Sequence, residues 1–343
     1  MTETKADAAP QLVVSAAPHL RTSDSVENVM YSVVIALLPA LLGAVYYFGW
    51  RALSVMAIAV ATAVLTEAAV QKFRKVRITA LDGSAIVVGM LLAFNLPPGV
   101  PWWIPVVGTV FAIAVGKHAF GGLGMNPMNP ALLGRAFLMA SWPVHMTTGW
   151  SAPQDGTISG IAAVTGATPL ATVKEAMANI AAGVNVEQSQ AIIDAANTAD
   201  VYLSLFLGSV GGCLGETSVL LLLIGAAYLF YKKYINHRIP LAFIGTVAVL
   251  AWVFGGKGYF TGDFIFHTLT GGLVLGAFFM ATDMVTSPST PKGQWIFGVG
   301  CGLLTILIRL VGGYPEGVCY SILLMNLTTP LLDRYTKPKI FGV

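Results

Sequence analysis

The chain has 343 residues, 56% of them hydrophobic and only 10% charged, with a mean hydropathy of +0.75. A soluble domain carries roughly 25% charged residues, so this composition excludes a water-facing surface and fits one that faces lipid. The formal net charge of +3 is too small to specify a nucleic-acid partner, and Cys213, Cys301 and Cys319 are too scattered to ligate an iron–sulfur cluster or another metal centre.

Residues 1–27 form a polar tail without the apolar stretch of a cleavable signal peptide. Five apolar segments follow, at 28–50, 52–70, 84–96, 102–115 and 130–142, and residues 28–143 are read as one membrane unit. Segment 84–96 makes a helix of about 20 Å against a hydrocarbon core of about 30 Å, as expected of a half-helix in a transporter-like fold. Residues 144–201 are polar, rich in Ala, Gly, Thr, Gln and Asn, and too long for a plain connection, so they are expected to carry function. Five more apolar segments occupy 202–231, 240–254, 264–282, 294–311 and 318–332, giving a second unit over 202–333 and a tail at 334–343.

The basic residues orient the chain. Fourteen of the 19 fall on one side: Lys5, Arg21, Lys72, Arg74, Lys75, Arg77, Lys117, Lys232, Lys233, Arg238, Lys292, Arg334, Lys337 and Lys339. Arg51, Lys174 and Lys257 fall on the other, and Arg135 and Arg309 lie within spans. The positive-inside rule places both termini in the cytoplasm and 144–201 outside.

Five spans precede the long polar segment and five follow it, so a repeat of five must be inverted in the membrane. DGSAIVVGMLLAF (82–94) parallels TGGLVLGAFFMATD (270–283), and GGLGMNPMNPALLGRAFLMA (121–140) parallels GGYPEGVCYSILLMN (312–326). The expectation is an all-α polytopic membrane protein with ten transmembrane helices in two inverted five-helix repeats. Two related pockets then lie at opposite faces, NPMNP at the inner one and YPEG at the outer one.

Four groups of residues carry potential chemistry. In VTGATPLA (164–171), Thr165 and Thr168 flank Gly166 and Ala167, a turn with two hydroxyls. GSVGGCLGETS (208–218) includes Gly215, Glu216, Thr217 and Ser218. Its glycines either admit a flat ring close to backbone or pack helices together, and amides at a helix start there would stabilise a phosphate. GKHAFGGLGMNPMNP (116–130) sets Lys117, Asn126 and Asn129 beside backbone freed by Pro127 and Pro130. The asparagines either present donor and acceptor to a ligand or satisfy their own turn. Glu67, Asp82, Glu216, Asp283 and Glu316 lie in or near spans and are ion-path candidates, with helix capping as the alternative for Asp82 and Asp283.

TGATPL resembles the [ST]GAT flavinylation motif of the family formed by the D subunit of the Rnf ferredoxin:NAD oxidoreductase and the B subunit of the sodium-translocating NADH:quinone reductase. APHLRTSDS (17–25), LDGSAIVVGMLL with LPPGVPWW, GKHAFGGLGMNPMNPA, GSVGGCLGETS, LTGGLVLGAFFMATDMVTSP (269–288) and GGYPEG also resemble that family. The short tail before the first span is more similar to the Rnf D subunit. Ala162 departs from the acidic residue that usually stands three positions before the motif.

The resemblance implies that a flavin transferase attaches FMN through a phosphoester to Thr168. The outer flavin pocket would comprise Thr165, Gly166, Ala167, Gly215, Glu216, Thr217 and Ser218. A second, non-covalent flavin, riboflavin, is placed at Lys117, Asn126 and Asn129, and Glu67, Asp82, Asp283 and Glu316 remain for the ion path. The fold would be similar to the urea transporters. The whole complex, in the bacterial inner membrane, would couple electron transfer between ferredoxin and NAD to movement of sodium ions or protons. Other membrane and peripheral subunits, including a second covalent-FMN subunit, would supply the remaining centres, and the chain would not act alone. The alternatives are the quinone-reductase subunit and an inverted-repeat solute channel without redox chemistry.

Overall fold

The computed structural model describes residues 24–147, 150, 168–216, 218–256 and 258–337, and every regular element among them is helical. The N-terminal tail to residue 23, Thr165, Gly166, Ala167, Thr217 and Lys257 lie outside the described residues.

Helix α1 (Val26–Phe48) starts at Ser25, whose hydroxyl accepts from Asn28 N, and ends at Gly49, whose φ of 65° turns the chain into α2 (Trp50–Phe73). Next come α3 (Ser84–Phe94) and α4 (Trp103–Phe111), the latter continuing as a π-helix over Ala112–His118. Helices α5 (Pro130–Ser141), α7 (Pro169–Ala181) and α14 (Pro291–Leu310) share one device: a capping Asn129, Thr168 or Thr290 is followed by proline at the first helical position. The capping oxygen takes an orphan amide, and proline lacks the one that would go unpaired. The remaining helices are α6 (Pro143–Thr147), α8 (Val186–Ala196), α9 (Ala199–Leu207), α10 (Val219–Tyr231), α11 (Arg238–Phe254), α12 (Phe264–Leu269), α13 (Leu273–Leu275, wound on as a π-helix over Gly276–Met280) and α15 (Val318–Tyr335).

Helices α1, α2 and α14 are long and apolar enough to cross a membrane, and α3, Trp103–His118, α10 and α11 are shorter apolar helices. Large apolar side chains such as Leu42 (70% exposed) and Leu65 (69%) point outward, the pattern of a lipid-facing surface. This is a membrane protein. Helix α1 packs along α10, α2 against α3 and α4, α5 against α15, and α11 against α12 and α14. Small residues make these approaches close: Gly298 and Gly302 of α14 sit against Ile239, Ala242 and Phe243 of α11.

Two apolar segments differ from their sequence reading. Residues 202–231 are not one helix but α9 and α10, separated by GSVGGCLGETS; Gly208, at φ 109°, ends α9. Residues 264–282 break at Thr270–Gly272, where Gly271 has φ 58°. The polar region before 202 carries α7 and α8, which share a small core of Leu170, Val173, Leu205 and Phe266 with α9 and α12.

Candidate functional site

The first cluster surrounds the start of α3. Asp82 Oδ1 accepts from Ser84 N (2.8 Å) and from Ser84 Oγ (2.5 Å), at the first residue of the helix after its cap, Gly83. Lys117, on the π-helical end of α4, donates to both Glu67 carboxylate oxygens and to Ser84 Oγ, each at 2.7 Å. Gln71 Nε2 also donates to Glu67 Oε1 (3.2 Å). Glu67 and Lys117 are each 1% exposed, so each charge depends on the other. His118 is 7% exposed; its Nε2 lies 3.7 Å from Glu67 Oε1, and neither ring nitrogen has a hydrogen-bond partner.

Lys117 and Ser84 reach the wall of a cleft lined also by Asn126, Asn129, Tyr234 and Asp283 over a largely apolar surface. Few polar groups set in apolar walls is the lining usual for a small-molecule site. Asn126 Nδ2 donates to Met128 O (3.1 Å), and Asn129 Oδ1 caps α5 by accepting from Ala131 N (3.0 Å) and Leu132 N. Asn129 Nδ2 reaches Met280 O at 3.4 Å. Both asparagines therefore border the cleft while holding their own turn. Asp283 accepts from Val285 N (3.4 Å) and Thr286 Oγ1 (3.1 Å), a local turn at the cleft edge.

The second cluster gathers around Thr168. Read alone, TGAT is a turn with exposed hydroxyls, but Thr168 is 6% exposed and its Oγ1 accepts from Ala171 N as the cap of α7. Pro169 opens that helix. Thr168 borders two cavities. One, of about 980 Å³, is lined by Arg135, Trp150, Tyr314, Glu316 and Tyr320, and its two tyrosine rings stack at 5.5 Å. The other is a narrow gap beside Glu216, Gly271 and Glu316. A phosphate on Thr168 would meet the amide end of a 13-residue helix. The aromatic walls suit a flat ring, so the residues present fit an ester-linked flavin nucleotide. The inner cleft offers a flat heteroaromatic ring a mixed lining of apolar walls and a few polar groups.

Arginines tie the outer cluster together. Arg135, 3% exposed, donates from Nη1 to Asn95 Oδ1 (2.6 Å) and from Nη2 to Glu316, and it touches Cys213 Sγ. Arg309 donates to the backbone oxygens of Glu316 (3.0 Å), His267 (2.5 Å) and Thr270 (3.0 Å), clamping the break between α12 and α13. Lys174 donates to Gly312 O and to Tyr314 O (2.8 Å), pinning α7 over the turn that carries Glu316. Burial lowers the Lys174 pKa from its ordinary value. Glu216 Oε2 accepts from Cys213 N (3.4 Å), while its buried Oε1 has no partner. Ligand atoms of Cys213, Glu216 and Glu316 lie within 4.8 Å of one another, but Arg135 already supplies positive charge there.

The structure thus brings Thr168, Glu216 and Glu316 to one cavity and Lys117, Asn126, Asn129 and Asp283 to another, with Glu67 and Asp82 bonded behind the second. Gly215 is elsewhere: its N donates to Phe94 O, and a side chain there would meet Phe94 and Leu275. Ser218 caps α10 through Leu221 N. Sequence reasoning missed Arg135, Arg309, Ser84, His118 and the aromatic wall as site residues. A lone arginine within an apolar span was the available signal for the first two.

The NQR2, RnfD, RnfE family model matches residues 13–342. The chain is 51% identical over 330 residues to the D subunit of the proton-translocating ferredoxin:NAD(+) oxidoreductase complex of Clostridium ljungdahlii, covering 96% of each chain. It is 51% identical over 332 residues to the D subunit of the Na(+)-translocating ferredoxin:NAD(+) oxidoreductase complex of Acetobacterium woodii, covering 97% of this chain and 96% of that one. It is 36% identical over 347 residues to the D subunit of the ion-translocating oxidoreductase complex of Citrobacter koseri, covering 96% and 98%.

Proposed function

The chain belongs to the NQR2, RnfD, RnfE family, and from that membership we propose that it is the D-type membrane subunit of an ion-translocating ferredoxin:NAD oxidoreductase complex. Its relatives carry that description over nearly their whole length. It works as one subunit of an enzyme complex that couples electron transport to ion translocation.

The observation that carries a redox role for this chain is Thr168, buried at the head of α7 between two cavities and beside the Arg135–Glu316 pair. We read Thr168 as the attachment point of FMN, put there by a flavin transferase, and the inner cleft as the site of riboflavin. A flavin supplies reversible electron transfer when bound. The chain's own residues position it. The amides of α7 face a phosphate, Tyr314 and Tyr320 offer a stacking wall, and Asn126 and Asn129 set polar groups in the wall of the inner cleft. Neighbouring subunits, one with its own covalent FMN, bridge the distances this chain does not span.

The topology read here is ten membrane segments in two inverted five-helix repeats, urea-transporter-like, in a bacterial inner membrane. Pairing of α1 with α10 and of α5 with α15 supports it. So do Lys117 at the start of α3 and Arg309 at the break before α13, corresponding cations on the two half-helices. Both termini are cytoplasmic, and Thr168 is periplasmic. Lys117 is spent on Glu67 and leaves the charge count, so fourteen becomes thirteen against three, with the same orientation.

Replacing Thr168 with Ala in the purified complex tests the attachment. In-gel flavin fluorescence of this subunit should vanish, and the mass of the peptide spanning Thr168 should fall to that of the bare chain. Fluorescence that persists on this subunit excludes Thr168 as the acceptor.

A further inference from the structure

A further cavity, separate from the two that Thr168 borders, lies between α7, α12 and the end of α14. Its apolar wall includes Leu170, Val173, Met177, Leu310 and Pro315, and three nitrogen-bearing side chains complete it: Lys174, His267 and Arg309. Arg309 is 3% exposed, and its three hydrogen bonds all go to backbone oxygens, which leaves two guanidinium N–H bonds without a protein acceptor. Lys174 is half-buried and donates to Gly312 O and Tyr314 O, while its third contact, Ile308 O, is long at 3.5 Å. His267 is 4% exposed, and its buried Nδ1 has no partner.

Among the described residues no carboxylate lies within ion-pair distance of Lys174 or Arg309, and the Glu316 carboxylate belongs to Arg135. Three cations of this region, Arg135, Lys174 and Arg309, thus face two carboxylates, Glu216 and Glu316, while Glu175 is exposed. A buried cation without a counter-charge is costly, and so is a buried ring nitrogen without a partner. One anion in the cavity answers all three groups.

We propose that this cavity is a phosphate site held by Arg309, Lys174 and His267, and that the phosphate is the headgroup of a membrane phospholipid. Arg309 offers its two free N–H bonds, Lys174 the N–H now on the long contact, and His267 an Nδ1–H in the matching neutral tautomer. These donors come from three helices, a spread that a tetrahedral oxyanion meets better than a planar carboxylate does. The place suits a headgroup. Helix α14 is long and apolar enough to cross a membrane, Arg309 stands in its last turn, and Leu307 (53% exposed) and Val311 (83%) present apolar surface beside it. The apolar wall of the cavity receives the start of the acyl chains. The bound phosphate ties α7, which Thr168 caps, to α12 and α14. The site stands whether or not Thr168 carries a flavin.

The test uses the intact purified complex, washed in detergent until lipid phosphorus is absent. Hydrogen–deuterium exchange of Pro169–Ala181 is followed while dioleoyl phosphatidylglycerol, dioleoylglycerol (the same apolar body without phosphate) or inorganic phosphate is added. The phospholipid should slow exchange in α7, and dioleoylglycerol should not. His267→Phe or Lys174→Met should raise the half-maximal phospholipid concentration by about tenfold or more, the loss expected for one charge-assisted hydrogen bond. His267→Asn, which keeps a donor near the position of Nδ1, should restore it. Lys174→Met also frees Gly312 O and Tyr314 O, so the readout is the change on adding the probe and not the baseline exchange. Slowing by inorganic phosphate and not by the phospholipid upholds the phosphate site and overturns the lipid as its source. No slowing by either phosphate probe overturns the site. Equal slowing by dioleoylglycerol, or an unchanged half-maximal concentration in both His267→Phe and Lys174→Met, overturns it too.

Discussion

Replacing Arg135 with Met should be among the most damaging single changes in this chain. Arg135 is 3% exposed and holds Glu316 and Asn95 at once. Removing one member of a buried ion pair strands the other, at a cost of about 3–5 kcal/mol. At about 2 °C per kcal/mol for a large domain, the melting midpoint should fall by roughly 6–10 °C. Differential scanning fluorimetry on the detergent-purified complex reads this. The double variant Arg135→Met with Glu316→Gln removes the stranded charge and should recover most of the loss. The sign with pH follows. In the single variant the folded state binds a proton at Glu316 more tightly than the unfolded chain does. The deficit is therefore absent well below the unfolded carboxyl pKa of about 4.3 and grows as the pH rises above it. A single variant as stable as the double one at neutral pH would refute the reasoning, because the pair would then carry no buried charge.

Two further outcomes are expected. Changing Asn126 and Asn129 together to Leu should remove extractable flavin and leave the Thr168-linked flavin, measured in one folded sample. Losing the Asn129 cap alone costs about 0.5–2 kcal/mol, so Asn129→Ser, which keeps a capping oxygen, separates loss of the cap from loss of the ligand. Cysteines placed at Gly156 and Lys257 should react with a membrane-impermeant thiol reagent in intact cells, and one at Lys233 should not. The opposite pattern reverses the orientation.

Much of the architecture was legible because lipid imposes a simple rule on composition. The apolar segments at 28–50, 52–70 and 294–311 match α1, α2 and α14 to within a few residues. The breaks were harder. At 202–231 and 264–282 apolar residues continue on both sides of the interruption, so hydropathy ran them together. Glycine conformation and the arginine clamp, not polarity, end those helices. Thr168 was singled out by motif, but a motif read as a turn does not foresee a buried helix cap. The pairings were out of reach of local reasoning altogether: Arg135 and Glu316 stand 181 positions apart, and Glu67 and Lys117 stand 50 apart.

Those pairings also decide how the acidic residues divide. A charge inside a membrane protein is costly, so each persists only with a partner or a purpose. Asp283 is satisfied by its own turn, and Asp82 by the amide and hydroxyl of Ser84. Glu67 is matched by Lys117, and Glu316 by Arg135. Glu216 has no cation of its own: its Oε2 accepts from Cys213 N, and it lies close to Glu316 in a gap it shares with Thr168. In the outer cluster Glu216 and Glu316 lie together with Arg135, beside the residue read as carrying flavin. No carboxylate in either pair can change charge without stranding its cation.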